Sequence, residues 1–258
     1  MNNALTSVEA ERFLSDPNSV DLRDVASVTD EAASILAQYK GDLYLRGLTH
    51  LSDIAAEALS NHQGRLELLV DSALATDISV RAAEALAKHK GTLVIGFSDF
   101  SDDLANALSR HEGTLVLWLT TLTANAAQAI AHNQGDLSLD FSEQPSDAAV
   151  EALSNHHGYL ELNGYGFEAL SDVAAESLGK HSGGDLLLRD LQSISDTAAK
   201  NLAKHPGRLL LDGLFELSDE AAEALAKHGH DLELSERIEL SDFASEVLAG
   251  KSPQVLYV

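Results

Sequence analysis

The sequence predicts an α/β solenoid in which a short strand and a short helix alternate and stack in parallel, with the sheet on one face and the helices on the other. Three observations carry this prediction. A Leu-x-Leu segment recurs along nearly the whole chain; a Ser or Thr, usually followed by Asp, stands a few residues after it; and small residues, mostly Ala-Ala, lie just inside each of those starts. Taking the residue two places before Leu-x-Leu as a phase mark, repeats begin at Asn18, Gly41, Gly64, Gly91, Gly113, Gly135, Gly158, Gly184, Gly207, His230 and Pro253, with spacings of 22, 23, 26 or 27 residues. The 258 residues therefore read as one repeat domain. A capping helix lies within 1–17, ten repeats run over 18–252, and a terminal strand occupies 253–258.

The N-terminal stretch Ser7 to Leu14 has helical character, with Glu9, Glu11 and Arg12 on its polar side, and serves as the cap. Each repeat then opens with a strand. Leu43 and Leu45 alternate with Tyr44, the period of a strand with one buried face, and the pattern returns at Leu66/Leu68, Leu93/Ile95, Leu115/Leu117, Leu137/Leu139, Leu160/Leu162, Leu186/Leu188, Leu209/Leu211 and Leu232/Leu234. Val20/Leu22 and Val255/Tyr257 supply the first and last strands. Helices start at Thr29, Ser52, Ser79, Ser101, Thr123, Ser146, Ser171, Ser195, Ser218 and Ser241, where a hydroxyl accepts an orphan amide bond and the following Asp meets the positive end of the helix. Ala55, Leu59 and His62 share a face, and the alanine pairs let each helix sit close to the sheet. Strands pack roughly 4.8 Å apart and helices roughly 10 Å apart, so the stack is expected to bend into an arc with the sheet inside.

The units resemble a short bacterial variant of the leucine-rich-repeat family. Leu43-x-Leu45 matches the family's strand leucines, and Leu48 stands where the family carries its ladder Asn or Cys. The resemblance covers nearly the whole chain. It implies a horseshoe or arc and a protein-binding role.

His62, His89, His111, His156, His181, His205 and His228 share one repeat position, which Tyr39, Asn133 and Lys251 fill elsewhere. That mixture does not make a shared metal set. The position predicts a structural ring bonded to a carbonyl near the end of a helix, with no metal bound. The phase-mark glycines read as helix stops that adopt positive φ at little cost, which Pro253 cannot do.

Composition narrows the function. With 17 Lys+Arg against 41 Asp+Glu, the formal charge of −24 disfavours nucleic acid and anionic membranes as partners. Cysteine is absent, which removes disulfides and thiolate chemistry. Gly164-Tyr-Gly166 lacks the lysine and spacing of a phosphate cradle, and neither a zinc-peptidase helix motif nor a Gly-x-Ser-x-Gly elbow occurs. The N-terminus has no leader-like run and no segment is long enough to span a bilayer, so the expected location is cytoplasmic, with secretion open if a leader has been removed. No cofactor and no catalytic residue is expected.

Departures from the repeat point to a surface. On the open side of the strands, the residues between the core leucines are mostly polar, but Val94, Val116 and the single Trp118 interrupt them, with Tyr44, Tyr159, Asp140 and Glu161 on the same side. The strand-to-helix links are long at Leu69 to Ile78 and Asn163 to Leu170 and short between them. The expected function is non-enzymatic binding of a protein or peptide on the open sheet around Val94, Val116 and Trp118. Two alternatives accompany it: self-association through Leu187, Leu210, Val255, Leu256 and Val258, and carbohydrate binding near Trp118 and Tyr159. Trp118 has its own alternative, in which the ring folds over the sheet edge onto Phe97 or Phe141.

Overall fold

A computed structural model of the chain describes residues 4–68, 78–251 and 255–258. The contacts group it into two compact units, Met1–Thr120 with Asn133–Asp136, and Thr121–His132 with Leu137–Val258. Both are built from strand-helix repeats.

The first unit opens with β1 (Ala4–Leu5), which pairs in parallel with β2 (Ser27–Val28). Helix α1 (Ser7–Ser15) starts at a capping box: the Thr6 hydroxyl accepts the Glu9 amide, and the Glu9 carboxylate accepts the Thr6 amide at 2.9 Å. It buries Ala10 and Phe13, and Phe13 meets the edge of Tyr39 with 5.0 Å between ring centroids. The helices α2 (Asp30–Leu36), α3 (Asp53–Leu59), α4 (Val80–Leu86) and α5 (Asp102–Leu108) alternate with the strands β3 (Leu43–Leu45), β4 (Leu66–Leu68), β5 (Leu93–Phe97) and β6 (Leu115–Leu119). These four strands pair in sequence order, all parallel, with Leu43, Leu66, Leu93 and Leu115 in one register. The second unit runs from α6 (Ala124–Ile130) through β7 (Leu137–Phe141), α7 (Asp147–Leu153), β8 (Leu160–Asn163), α8 (Asp172–Leu178), β9 (Leu186–Leu187), α9 (Asp196–Leu202), β10 (Leu209–Leu211), α10 (Asp219–Ala226), β11 (Leu232–Leu234) and α11 (Asp242–Ala249) to β12 (Val255–Tyr257). Its strands also pair in order and in parallel. The core of each unit is the expected seam: the strand leucines and paired helix alanines are almost all closed to solvent.

The first strand departs from expectation. Where Val20/Leu22 predicts a strand, Leu22–Asp24 forms a 3₁₀ turn beside β3. The Asp21 carboxylate accepts the Arg23 amide at 3.0 Å and the Arg23 guanidinium at 2.7 Å, so a local side-chain bond replaces ladder pairing. The longer link 69–78 lies mostly outside the described residues, as does Pro253.

The helix starts do more than cap. Each N-cap hydroxyl accepts the amide three residues on, and most also donate to the first-turn Asp of the preceding repeat. Ser52 reaches Asp30, Ser79 reaches Asp53, Ser218 reaches Asp196 and Ser241 reaches Asp219, each at 2.5 Å. Ser171 bonds Asp147 at 2.6 Å, and Ser195 bonds Asp172. A Ser-Asp ladder therefore ties neighbouring helices together. It lacks a carboxylate where Val80 and Ala124 replace Asp. Val80→Asp, at a position 41% exposed, should give the Ser101 hydroxyl a carboxylate to donate to and raise stability by about 0.5–1 kcal/mol. Urea unfolding that shows no gain would deny the ladder a stabilising role.

The phase-mark glycines correct the expected turn chemistry. The C-caps of the repeat helices α2 to α11 are right-handed, as at Ser60 with φ −60°, and the one positive-φ glycine among the described residues is Gly164. Close approach is what demands glycine at the phase marks. A Cβ on Gly113 would stand 2.3 Å from the Gly91 carbonyl oxygen, and one on Gly207 2.4 Å from that of Gly184.

Candidate functional site

In the first unit, β5 and β6 make a five-pair ladder that sets Val94 beside Val116 and Gly96 beside Trp118. Gly96 presents no side chain, so on the β5 side of that rung the indole has no side-chain neighbour. Trp118 is 41% exposed and Val116 half-buried. Phe97 packs against Phe100 at 5.0 Å, and in the second unit Phe141 packs against Phe167 at 6.3 Å. Val94 corrects the expected patch, because it is fully closed to solvent. It is a short side chain in the middle of the ladder, flanked by Glu67 and Val116. Glu67 is itself buried and holds two guanidinium groups, with Arg46 Nε at 2.5 Å and Arg65 Nε at 3.2 Å. Arg46 also lies 5.4 Å from the centre of the Tyr44 ring, a cation–π contact on an aromatic that is 37% exposed. Among the described residues, the exposed apolar groups of this face are thus Trp118 and Tyr44, separated by a bound Arg–Glu–Arg cluster.

The open face of the second unit is arranged differently. Leu187 and Leu210 are adjacent on β9 and β10, yet both are buried, which corrects their expected role in an exposed self-association row. Two charged belts flank them. Arg189 reaches Glu161 at 3.5 Å and Asp212 at 3.0 Å, while Arg208 pairs with Glu233, Asp185 and Asp231. Arg189 and Arg208 thus each bridge carboxylates on or next to the strands beside the leucines. Glu161 also accepts the Ser138 hydroxyl at 2.9 Å, and Tyr159 is half-buried at the start of this face.

The longer link 163–170 shapes a cleft here. Gly164, at φ +100°, leads into a 3₁₀ turn (Tyr165–Phe167) that buries Phe167 and leaves Tyr165 91% exposed. Asp140, Gly164, Tyr165, Glu168, Asp190 and Gln192 line about 300 Å³. Burial pushes the Asp140 carboxyl above its ordinary value, helped by the charges of Asp190 and Glu161. At the far edge of the second unit, β12 pairs with β11 on one side, and Leu256 and Val258 are 44% and 58% exposed, with Val255 half-buried.

The repeat-position histidines are inside. All seven are at most 2% exposed, and their rings stack in near-parallel order. In the first unit His62, His89 and His111 lie 6.0 and 6.2 Å apart; in the second His156, His181, His205 and His228 lie 6.4, 5.6 and 6.4 Å apart. Rings bond backbone carbonyls of the preceding repeat, for example His181 Nδ1 to Ser154 at 3.2 Å, His205 Nδ1 to His181 at 2.9 Å and His228 Nδ1 to Ala203 at 3.2 Å. Asn133 and Lys251 make the same kind of bond, to His111 at 2.7 Å and His230 at 2.6 Å. Burial pushes His62, His89, His111, His181 and His228 below the ordinary imidazole value, and His205 down to about 4. No three His, Asp or Glu side chains converge as a metal set among the described residues.

Sequence reasoning placed Trp118 on the open side and the histidines on a shared inner position. It missed the inter-repeat Ser-Asp bonds, the arginine belts and the cleft beside Gly164. The ladder had a readable signal, since each Asp precedes its Ser by 22 to 26 residues, one repeat length. No family model matches the chain, and no curated protein matches it. No helix among the described residues is long and apolar enough to cross a membrane.

Proposed function

We propose that the chain is a non-enzymatic binding module of leucine-rich-repeat type that holds a protein or peptide on the open face of its sheet, with Trp118 as the anchor. One observation carries the reading: an indole 41% exposed, with half-buried Val116 on its own strand and a glycine on the facing rung, in a sheet whose other central apolar residues are covered. A large, rigid and partly exposed aromatic is the kind of group that dominates protein interfaces, because it buries much area at little entropic cost. Arg46, Arg65, Arg189 and Arg208 are engaged by carboxylates. The surplus charge of the protein therefore favours a partner segment with little negative charge.

The test is a selection of displayed linear peptides against the folded chain, followed by affinity measurement on the enriched sequences. Trp118→Ala should weaken them at least about 10-fold while the unfolding midpoint stays within about 0.5 kcal/mol, since truncation of an anchoring aromatic acts on binding more than on folding. Equal affinity for the variant would move the site elsewhere, first to the acidic cleft beside Gly164.

A second reading, self-association, is supported by the edge of β12, where Leu256, Tyr257 and Val258 are 44%, 41% and 58% exposed. It predicts dimer formation in light scattering at about 1 mM, the concentration at which a contact of about 4 kcal/mol half-associates. A monomer at that concentration removes it.

A further inference from the structure

We propose that the two stacks of buried imidazoles make each unit acid-releasable, holding neighbouring repeats together at neutral pH and uncoupling them cooperatively as the medium is acidified to about pH 5. The geometry carries this. Each ring sits at a joint between repeats with another ring in parallel about 6 Å away, and all but His62 bond a backbone carbonyl of the preceding repeat. A proton on one ring puts an ion into a closed joint, and a second proton on the next ring puts two like charges face to face.

The groups that face the rings offer little compensation. His205 faces His181 and His228; His181 also faces His157, and His228 faces His230 and the Lys251 ammonium. Asp42 lies near His62, Glu112 near His111, and Asp231 acts on Lys251. The remaining facing groups are backbone carbonyls, whose attraction for a charged ring is outweighed by burial at every histidine whose proton affinity is displaced.

The direction of the effect follows from linkage. These rings stay neutral in the folded protein, whereas the unfolded chain takes up protons below about pH 6.5, so the folded state is fully favoured above that pH and loses ground as pH falls toward about 4. Self-repulsion runs the other way, because acidification reduces a charge of −24 and would by itself stabilise the fold. Carboxylates held below their ordinary value, such as Asp21, release their stabilisation only near and below pH 4. Asp140, held above its ordinary value, binds its proton more readily in the folded state and so also favours the fold as pH falls. A loss of stability between pH 6.5 and 5 therefore reports on the histidines.

The experiment is urea unfolding of the full chain from pH 7.5 to 5.0, together with potentiometric measurement of proton uptake on unfolding at pH 5.5. The midpoint should fall steadily below pH 6.5, and unfolding should take up at least about two protons. His181→Asn, His205→Asn and His228→Asn combined should remove more than half of that fall. Asparagine is the right replacement because Asn133 already occupies the equivalent joint and donates to the His111 carbonyl at 2.7 Å. A flat or rising wild-type midpoint, uptake of fewer than two protons, or an unchanged slope in a folded variant would each overturn the proposal. If the triple variant does not fold, the wild-type proton uptake decides.

Discussion

Leu211→Ala should destabilise the second unit by about 2–5 kcal/mol, the range for deleting a fully buried leucine and leaving a cavity. Leu211 is closed to solvent and stands on the rung opposite Leu234, so its side chain fills the seam between two repeats. Stability in a stack of repeats is a sum of unit and nearest-neighbour terms, and this substitution weakens both at once. Urea denaturation followed by circular dichroism reads the loss directly. A change below about 0.5 kcal/mol would mean that the strand leucines do not make the seam. Phe215→Ala is the control: a larger side chain, but 62% exposed, and expected to cost less than about 0.5 kcal/mol.

Gly164→Ala is expected to cost at least about 2 kcal/mol for a different reason. The backbone at Gly164 has φ 100° and ψ 168°, a conformation essentially confined to glycine, whose imposition on another residue costs about 1–3 kcal/mol. An added Cβ would also stand 2.4 Å from the Phe141 carbonyl oxygen and 2.5 Å from Asp140 Oδ1, so the turn must move. Gly229→Ala has neither problem, with nothing within 4 Å of its added Cβ. It should cost nothing measurable or be slightly stabilising. Thermal unfolding of the two variants side by side separates the cases. Equal stability would show that the Gly164 turn is not held by the core.

The repeat was legible because two periods coincide in one sequence. Leu-x-Leu marks a strand with one buried face, and Ser-Asp followed by Ala-Ala marks a helix start that packs closely, so every copy reinforces the others. Among the described residues both were read correctly from Leu43 to Leu234; Val255–Tyr257 is a strand, but Tyr257, expected on the buried face, is 41% exposed. The other exception was Val20/Leu22, which carries the apolar spacing of a strand while Asp21 and Arg23 close a local turn. Alternation alone does not register that competition.

The site was less legible, because exposure depends on what crosses the sheet. Val94, Leu187 and Leu210 all occupy open-side positions, yet all three are buried. Beside Leu187 and Leu210 run the ion pairs of Arg189 and Arg208 with Glu161, Asp212 and Glu233, partners one repeat or more away. Such cross-strand pairs are invisible to a reading that takes each strand singly. The phase-mark glycines carried a similar ambiguity: positive φ and close backbone approach leave the same signature in a sequence, and coordinates separate them.

Trp118 is the only tryptophan, so its fluorescence reports on the proposed binding surface without labelling. With a selected peptide bound at saturation, the emission should shift to the blue and acrylamide quenching should fall by at least about half, as an indole that is 41% exposed becomes enclosed. Unchanged emission and quenching with the peptide fully bound would contradict the account, because binding would then take place away from Trp118.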